Sequence, residues 1–410
     1  MKVWIKYAAG ILIGVLLGVY LPFDNKKVQE LFSYFSTVTV HAGMFAVYPL
    51  VFFSFGYAVF KMKQDALGGS VFLKSLAAMV LSGVILVLLG TVTVILFSPE
   101  RIPIIVENRT VDTFPGYREI LGNLFPQNVF TIFAENRNYL LPVTFLALIM
   151  GLNFSFDKVM TRPVYQFFNA MSRIFYHITV FITEIIGIGM IILGAHMILA
   201  IRNTPEIDLF KQLLALLTLN SVIIIFGIYP LLFYFFSGKQ NPYKVLYAMT
   251  APLLAAFISG NSYFTLLSLS RAGKENMGIP RKIGAGVFPF FTLFGKAGTA
   301  MVTASAFILI ISSYSSIGMD LWKILWVMAF SLVVSFFTGT VPGIGVIAAL
   351  AFLSRHYGRG LEEGFLLMYP VSTLLISFSV LLDTVTAGFT AYLISYRDRN
   401  HKDVDIRDFI

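Results

Sequence analysis

Apolar runs long enough to cross a bilayer recur from one end of this chain to the other. A helix rises about 1.5 Å per residue, so a hydrocarbon core of about 30 Å asks for about 20 residues. Stretches at about 4–21, 35–60, 71–97, 121–153, 164–201 and 210–236 predict six helical regions. Polar breaks such as Lys61-Met62-Lys63-Gln64-Asp65 and Ser237-Gly238-Lys239-Gln240-Asn241-Pro242 separate them. The second half is less regular: its apolar segments at about 245–270, 283–311, 322–353 and 364–396 are interrupted in mid-segment by Gly, Pro and Ser/Thr.

Two interruptions matter most, Ser259-Gly260-Asn261-Ser262 and Thr338-Gly339-Thr340-Val341-Pro342-Gly343-Ile344-Gly345. Pro removes a backbone donor and clashes with the preceding turn, while Gly favours loose or left-handed backbone, so the helix must break at the second of them. Broken backbone at membrane depth is tolerated only where protein buries it or where it lines a wet cavity, and a pair of interrupted segments points to a transporter's binding site. Each segment is either a kinked span or a hairpin that returns to the side it left. With a cytoplasmic N-terminus and both segments as hairpins, 18 of the 30 Lys and Arg fall inside and 11 outside, with Lys296 set aside in the membrane. That is the positive-inside bias. Spans instead of hairpins would move Arg271, Lys274, Arg281 and Lys282 outside, so the charge map favours hairpins.

Composition narrows the class. The 410 residues are 57% hydrophobic and 12% charged, against about a quarter charged in ordinary globular domains, and mean hydropathy is +0.81, which excludes a soluble enzyme. One multi-pass membrane domain is the expectation, placed in the plasma (inner) membrane with both termini cytoplasmic. The run from Tyr7 to Leu21 behind Lys2 and Lys6 superficially resembles a secretory signal, but no small-residue cleavage site follows Pro22 and spans continue behind it, so it reads as the first helix. The net charge of +9 is the Lys/Arg excess that fixes orientation, not a nucleic-acid patch. There is no cysteine, and His41, His177, His196, His356 and His401 show no metal-ligand spacing, so no metal and no cofactor are expected.

At this point the residues carry a likeness. Met44 to Phe55, MFAVYPLVFFSF, and 139–153, YLLPVTFLALIMGLN, resemble the second and fourth helices of the dicarboxylate/amino acid:cation symporters, the glutamate transporter homologues. Ala256-Phe257-Ile258-Ser259, Thr265-Leu266, Gly273-Lys274-Glu275 and Met277-Gly278-Ile279 are similar to that family's first hairpin and its exit, and Val341-Pro342-Gly343-Ile344-Gly345 to the tip of its second. The resemblance implies an all-α integral membrane protein of eight transmembrane helices plus two re-entrant hairpins, working as an elevator carrier and assembled as a homotrimer. It further implies a scaffold from about 1–60 and 110–205, a transport domain from about 61–109 and 206–397, and a cytoplasmic tail at 398–410. Facing hairpin tips supply helix N-termini that suit an anionic group.

The departures from the family pattern are as informative. Where the family's seventh helix carries an Asn-Met-Asp-Gly-Thr run that ligates sodium, this chain has Gly295-Lys296-Ala297-Gly298-Thr299. Spacing from the matched Asp383 puts Ser372, Leu375 and Ser379 where acidic amino acid carriers use Asp, Arg and Asn to hold the substrate, and the serine-rich first tip is reduced to Asn261-Ser262-Tyr263. Arg–carboxylate pairing is charge-assisted and geometrically specific, so losing the Arg argues against ordinary glutamate or aspartate binding. The expected solute pocket is Asn261, Ser262, Thr299, Val341, Gly343, Gly345, Ser372, Leu375 and Ser379, for a small organic solute, anionic or a neutral amino acid. Gly295, Lys296 and Asp383 form the expected ion site or its surrogate.

Lys296 lies 14 residues beyond Lys282 and Asp383 14 residues before Arg397, about 21 Å along a regular helix. An unpaired charge at that depth costs about 2.5–3.5 kcal/mol even on lenient scales, so each needs a partner or a wet cavity. Three roles are open for Lys296: counter-ion of Asp383 in place of sodium, direct ligand of an anionic solute, or protonation switch. Sodium is therefore not expected as a bound ion, and a proton stays open as the coupling ion. Glu184 and His196 on the fifth helix read as packing between helices. A channel or ligand sensor on the same scaffold is the rival reading; an intramembrane enzyme lacks its Ser/His, paired Asp or metal constellation.

Overall fold

In the computed structural model, residues 2–20, 26–103, 128–134, 139–157, 159–204, 207–314, 320–339, 343–358, 360–396 and 401–409 are described. Among these there is no strand, and eight helical stretches are long and apolar enough to cross a membrane. The number matches the expected eight helices, but the set differs. Leu321–Thr338, expected as one leg of a hairpin, is counted, whereas the fourth expected helix is only the 14-residue Leu140–Asn153. The 121–127 part of that expected helix lies outside the described residues.

The first helix, α1 (Val3–Tyr20), runs along the 41-residue α6 (Arg162–Arg202). Its buried face is Val3, Tyr7, Gly10, Gly14 and Gly18, a small residue at every fourth position. A Cβ at Gly10 would sit 2.5 Å from the Gly187 carbonyl oxygen, and one at Gly14 2.2 Å from that of Ile191. Between lipid-solvated helices, where water no longer drives association, such close backbone approach supplies the packing contacts.

The apolar run at 35–60 divides into α2 (Lys26–Met44) and α3 (Val47–Gln64), broken at Phe45-Ala46. Helix α4 (Gly68–Phe97) packs on the later half of the chain, and α5 (Leu140–Asn153) on α3. Between α3, α5 and α6 the rings of Phe52, Phe53, Phe60, Phe154 and Phe168 interlock, with Phe154 and Phe168 centroids 4.9 Å apart. This is internal edge-to-face packing of aromatic rings.

The run at 210–236 is α7 (Lys211–Ile223) and α8 (Tyr229–Phe236), joined through a π turn at Ile224–Ile228. The interrupted half then unfolds as a series of shorter pieces: α9 (Pro242–Ala248), α10 (Thr250–Ser259), α11 (Ser262–Glu275), α12 (Arg281–Phe294), α13 (Ala297–Tyr314), α14 (Leu321–Thr338), α15 (Gly345–Tyr357) and α16 (Ser372–Tyr396). Helices α10 and α11 pack against each other, so the chain doubles back between them, and α14 and α15 do the same. The first reversal occurs at Gly260 (φ +56°) and the second between Thr338 and Gly345, where Gly343 has φ +80°; both glycines hold left-handed conformations that a side chain would strain. A third break, at Gly295-Lys296, separates α12 from α13. Helix α13, almost wholly buried, is the axis on which α4, α14, α15 and α16 pack.

Candidate functional site

The three breaks meet. At the first, Asn261 adopts an extended conformation and its Oδ1 accepts from the backbone N–H of Tyr263 (2.9 Å) and Phe264 (3.1 Å), which makes it the N-cap of α11. The amide expected to face a solute is thus largely engaged by its own helix. At the third break, α13 has no cap from its own neighbours, and a carboxylate from another helix supplies one. Asp383 Oδ1 accepts from Gly298 N–H (2.7 Å) and Thr299 N–H (3.2 Å), and Oδ2 accepts from the Thr299 hydroxyl (2.9 Å). A negative charge at a helix N-terminus meets both the orphan donors and the dipole.

Lys296, the last residue before α13, turns its ammonium into the same point. Nζ donates to Ser262 Oγ at 2.8 Å and lies 3.6 Å from Asp383 Oδ2; each of the two charged side chains is only 6% exposed. Both Asp383 oxygens are therefore already engaged by protein donors. At the matched position of the second family carboxylate stands Ala297, which offers no side-chain oxygen. A cation at this carboxylate would share it with the ammonium, and like-charge repulsion in a low-dielectric site opposes that. Among the described residues no group of three or more His, Cys, Asp or Glu is placed to hold a metal.

Above this pair lies a cavity of about 20 Å³, as swept by the centre of a water-sized sphere, lined by Ser262, Tyr263, Lys296, Thr299, Thr338, Gly339, Gly343, Gly345, Ile376, Ser379 and Val380. That is room for a water or two. Ser262, Thr299, Gly343, Gly345 and Ser379 of the expected pocket are brought together here, with Lys296. Asn261 and Gly295 flank it in the chain, and Val341 lies outside the described residues. Ser372 and Leu375 do not reach the cavity: the first break seats Gly260 against α16, where a Cβ would be 3.3 Å from Ile376 Cγ2, and closes the face before those residues. Helix α15 opens on this cavity from Ile344 with no side-chain cap, which leaves its first N–H groups unclaimed by any intrahelical acceptor.

Five lining residues were not in the expected site: Tyr263, Thr338, Gly339, Ile376 and Val380. The buried Tyr263 hydroxyl donates to the Gly339 carbonyl (3.0 Å) and accepts from Leu140 N–H (3.4 Å), so one ring ties the first break to the second and to α5. Gly339 itself abuts the third break, with a hypothetical Cβ only 1.8 Å from the Leu293 carbonyl oxygen. Thr338 completes the wall. A tyrosine in a tip of small polar residues was the available signal; the glycine contact is long-range and left none.

Glu184 is held between helices by ion pairs. It accepts from Lys6 of α1 and from Arg271 of α11 (2.7 Å), and Arg271 also bonds Glu275 (3.3 Å) and the Thr183 hydroxyl (2.8 Å). This network joins α1 and α6 to the C-terminal end of α11, away from the cavity, and His196 does not line the cavity. A wider hollow, about 630 Å³ between α3, α4, α5 and α12, is walled by Phe55, Val59, Phe72 and Leu148 and carries none of this chemistry.

Comparison with known proteins gives the constellation its setting. The chain is similar to excitatory amino acid transporter 3 of Oryctolagus cuniculus (22% identical, covering 93% of this chain and 82% of that protein) and to an excitatory amino acid transporter of Caenorhabditis elegans (22%, 93% and 85%). It matches excitatory amino acid transporter 2 of Rattus norvegicus at 23% identity over 59% of this chain, and there spans only 44% of the relative's length. Neutral amino acid transporter B(0) of Mus musculus is 24% identical over 46% of this chain. With eight long apolar helices, breaks that converge on one buried site, and a match over residues 3–396 to the sodium:dicarboxylate symporter family, the chain belongs to that family of membrane transporters and is not an enzyme.

Proposed function

We propose that this protein is a secondary transporter that carries a small organic solute, anionic or a neutral amino acid, without stoichiometric sodium. The observation that carries the proposal is the ammonium of Lys296, 3.6 Å from Asp383 in the place where the resembled family holds an ion. Relatives named for excitatory and for neutral amino acids frame the solute class. Leu375, standing where an Arg would grip a side-chain carboxylate, favours a solute with a single carboxylate. Its carboxylate would meet the open N-terminus of α15 and the Lys296 ammonium, and the hydroxyls of Ser262 and Thr299 would take its remaining polar group.

A cavity that admits a water or two is a closed site, so the solute enters only when the segment through Gly339 and Gly343 moves away from Tyr263. In this reading the doubled-back pairs α10–α11 and α14–α15 are re-entrant hairpins, and the second is the gate. Residues 61–109 and 206–397 move as a body against a scaffold of 1–60 and 110–205, anchored in a homotrimer. The deciding experiment is uptake by proteoliposomes of labelled amino acids and dicarboxylates under sodium, potassium, choline and proton gradients. Uptake indifferent to sodium is expected; strict sodium dependence would refute the reading, and passive ion current without uptake would favour the channel rival instead.

A further inference from the structure

A second cavity, away from the solute site, lies between α3, α6, α11 and α12; much of its wall is apolar, from Leu50, Val51, Leu266 and Phe288, with polar groups set among them. Its volume is about 50 Å³ on the same measure, room for several waters or one small oxyanion, and its walls carry Ser54, Ser172, Tyr176, Ser270, Lys274 and Arg281. Both cations lie flat on aromatic faces: Lys274 Nζ is 3.7 Å from the Tyr176 ring centre and Arg281 Cζ 4.5 Å from that of Tyr57. Cation–π contact of this kind orients a charge without neutralising it. Arg281 bonds otherwise only to uncharged acceptors, the side-chain and backbone oxygens of Asn169 (3.1 and 3.2 Å).

Among the described residues neither cation is within salt-bridge reach of a carboxylate. Glu275, the nearest acid in sequence, is taken by Arg271 and by the Tyr176 hydroxyl (2.6 Å). The network of Lys6, Glu184, Arg271 and Glu275 balances itself, two cations against two anions. Among the described residues Lys274, Arg281 and the exposed Arg173 of α6, whose charge acts on Lys274, have no carboxylate within salt-bridge reach. Burial holds the Lys274 ammonium below the usual lysine range; the pull of Glu275 opposes this, and the charges of Arg281 and Arg173 add to it. Ordinary topology-setting charges point into solvent, whereas these two are laid on rings around a shared hollow with three hydroxyls.

We infer that this cavity is a binding site for a phosphate-type oxyanion, held by Lys274 and Arg281 with the hydroxyls of Ser54 and Ser270, while the Ser172 hydroxyl donates to the Asn169 carbonyl (3.1 Å). A free phosphate and the headgroup of an anionic phospholipid present the same chemistry. The charge map puts 271–282 on the cytoplasmic side, where either is at hand.

The test uses the full-length protein. In detergent, thermal unfolding is followed against inorganic phosphate, with potassium chloride at equal ionic strength as reference; in parallel, phosphatidylcholine nanodiscs are compared with and without phosphatidylglycerol. A saturable stabilisation by phosphate identifies a soluble oxyanion. Stabilisation by phosphatidylglycerol alone, with that lipid retained in native mass spectra, identifies the headgroup. In either case Lys274→Gln and Arg281→Gln should each weaken half-saturation by about tenfold, the loss of one charge-assisted contact, while Lys211→Gln, an exposed control, should not. Arg173→Gln, at an exposed position, gives a smaller weakening and serves if either cavity variant fails to fold. No stabilisation by phosphate or phosphatidylglycerol beyond their references overturns the site, as does an unchanged response in the variants.

Discussion

Removing one partner of the Lys296–Asp383 pair tests the reading most sharply. At 3.6 Å and an effective dielectric of about 20, the attraction is about 4–5 kcal/mol, largely offset by the cost of burying both charges. Breaking a buried pair from one side typically costs about 3–5 kcal/mol, because a charge is left stranded. The two single variants are not equivalent here. Lys296→Met leaves Asp383 with three protein donors, from Gly298 N–H, Thr299 N–H and the Thr299 hydroxyl, so its cost should sit at or below the low end of that range. Asp383→Asn leaves an ammonium with Ser262 Oγ as its remaining partner and also weakens the cap of α13, so it should sit at the high end. The double variant removes both charges and should be more stable than either single one, with a coupling energy of about 3 kcal/mol. Fluorescence-detected thermal unfolding in detergent gives the order directly. Sodium sharpens it: wild type should not respond, whereas Lys296→Met vacates the cationic position and should be stabilised saturably by sodium over potassium and choline. A double variant less stable than both singles refutes the electrostatic argument. A saturable, sodium-specific rise in the wild-type melting temperature refutes the surrogate role.

Tyr263→Phe removes the hydroxyl that spans Leu140 and Gly339 and strands a buried carbonyl, so it should cost about 1–3 kcal/mol and raise the thiol-labelling rate of Ile344→Cys; an unchanged rate means the ring does not hold the second break shut. Gly298→Ala would place a Cβ 2.5 Å from both Ser379 O and Leu382 Cβ and should destabilise by about 1–3 kcal/mol through overpacking. Gly69→Ala, with nothing within 4 Å of the added Cβ, should be neutral or stabilising in the same unfolding assay. Single cysteines at Pro242 and Asn276, in a chain with no native cysteine, should label from the same membrane face if α9–α11 is re-entrant; opposite faces rule the hairpin out.

What the sequence determined by itself was everything that depends on local pattern. Apolar length fixed the membrane class, and the glycines at 260 and 343 marked the reversals, because left-handed backbone is a single-residue property. Counting set Lys296 and Asp383 14 residues inside their apolar segments, and an unpaired charge so placed demands a partner, which the structure supplies at 3.6 Å. Tertiary structure decided the rest. The roles of the polar residues at the tip depended on who reached them first: Asn261 was claimed by its own helix, while Ser262 went to an ammonium 34 residues away. The cap of α13 came from Asp383, 85 residues beyond Gly298, and no local spacing announces a cap supplied by another helix. Ser372 and Leu375 stand on the expected face of α16, yet the seat of Gly260 on Ile376 ends the cavity short of them. The helix break at Gly295-Lys296 belongs to both levels. Glycine permits it, but it persists because a carboxylate from α16 satisfies the N–H groups that the break exposes, and a buried donor left unsatisfied would cost more than the break itself.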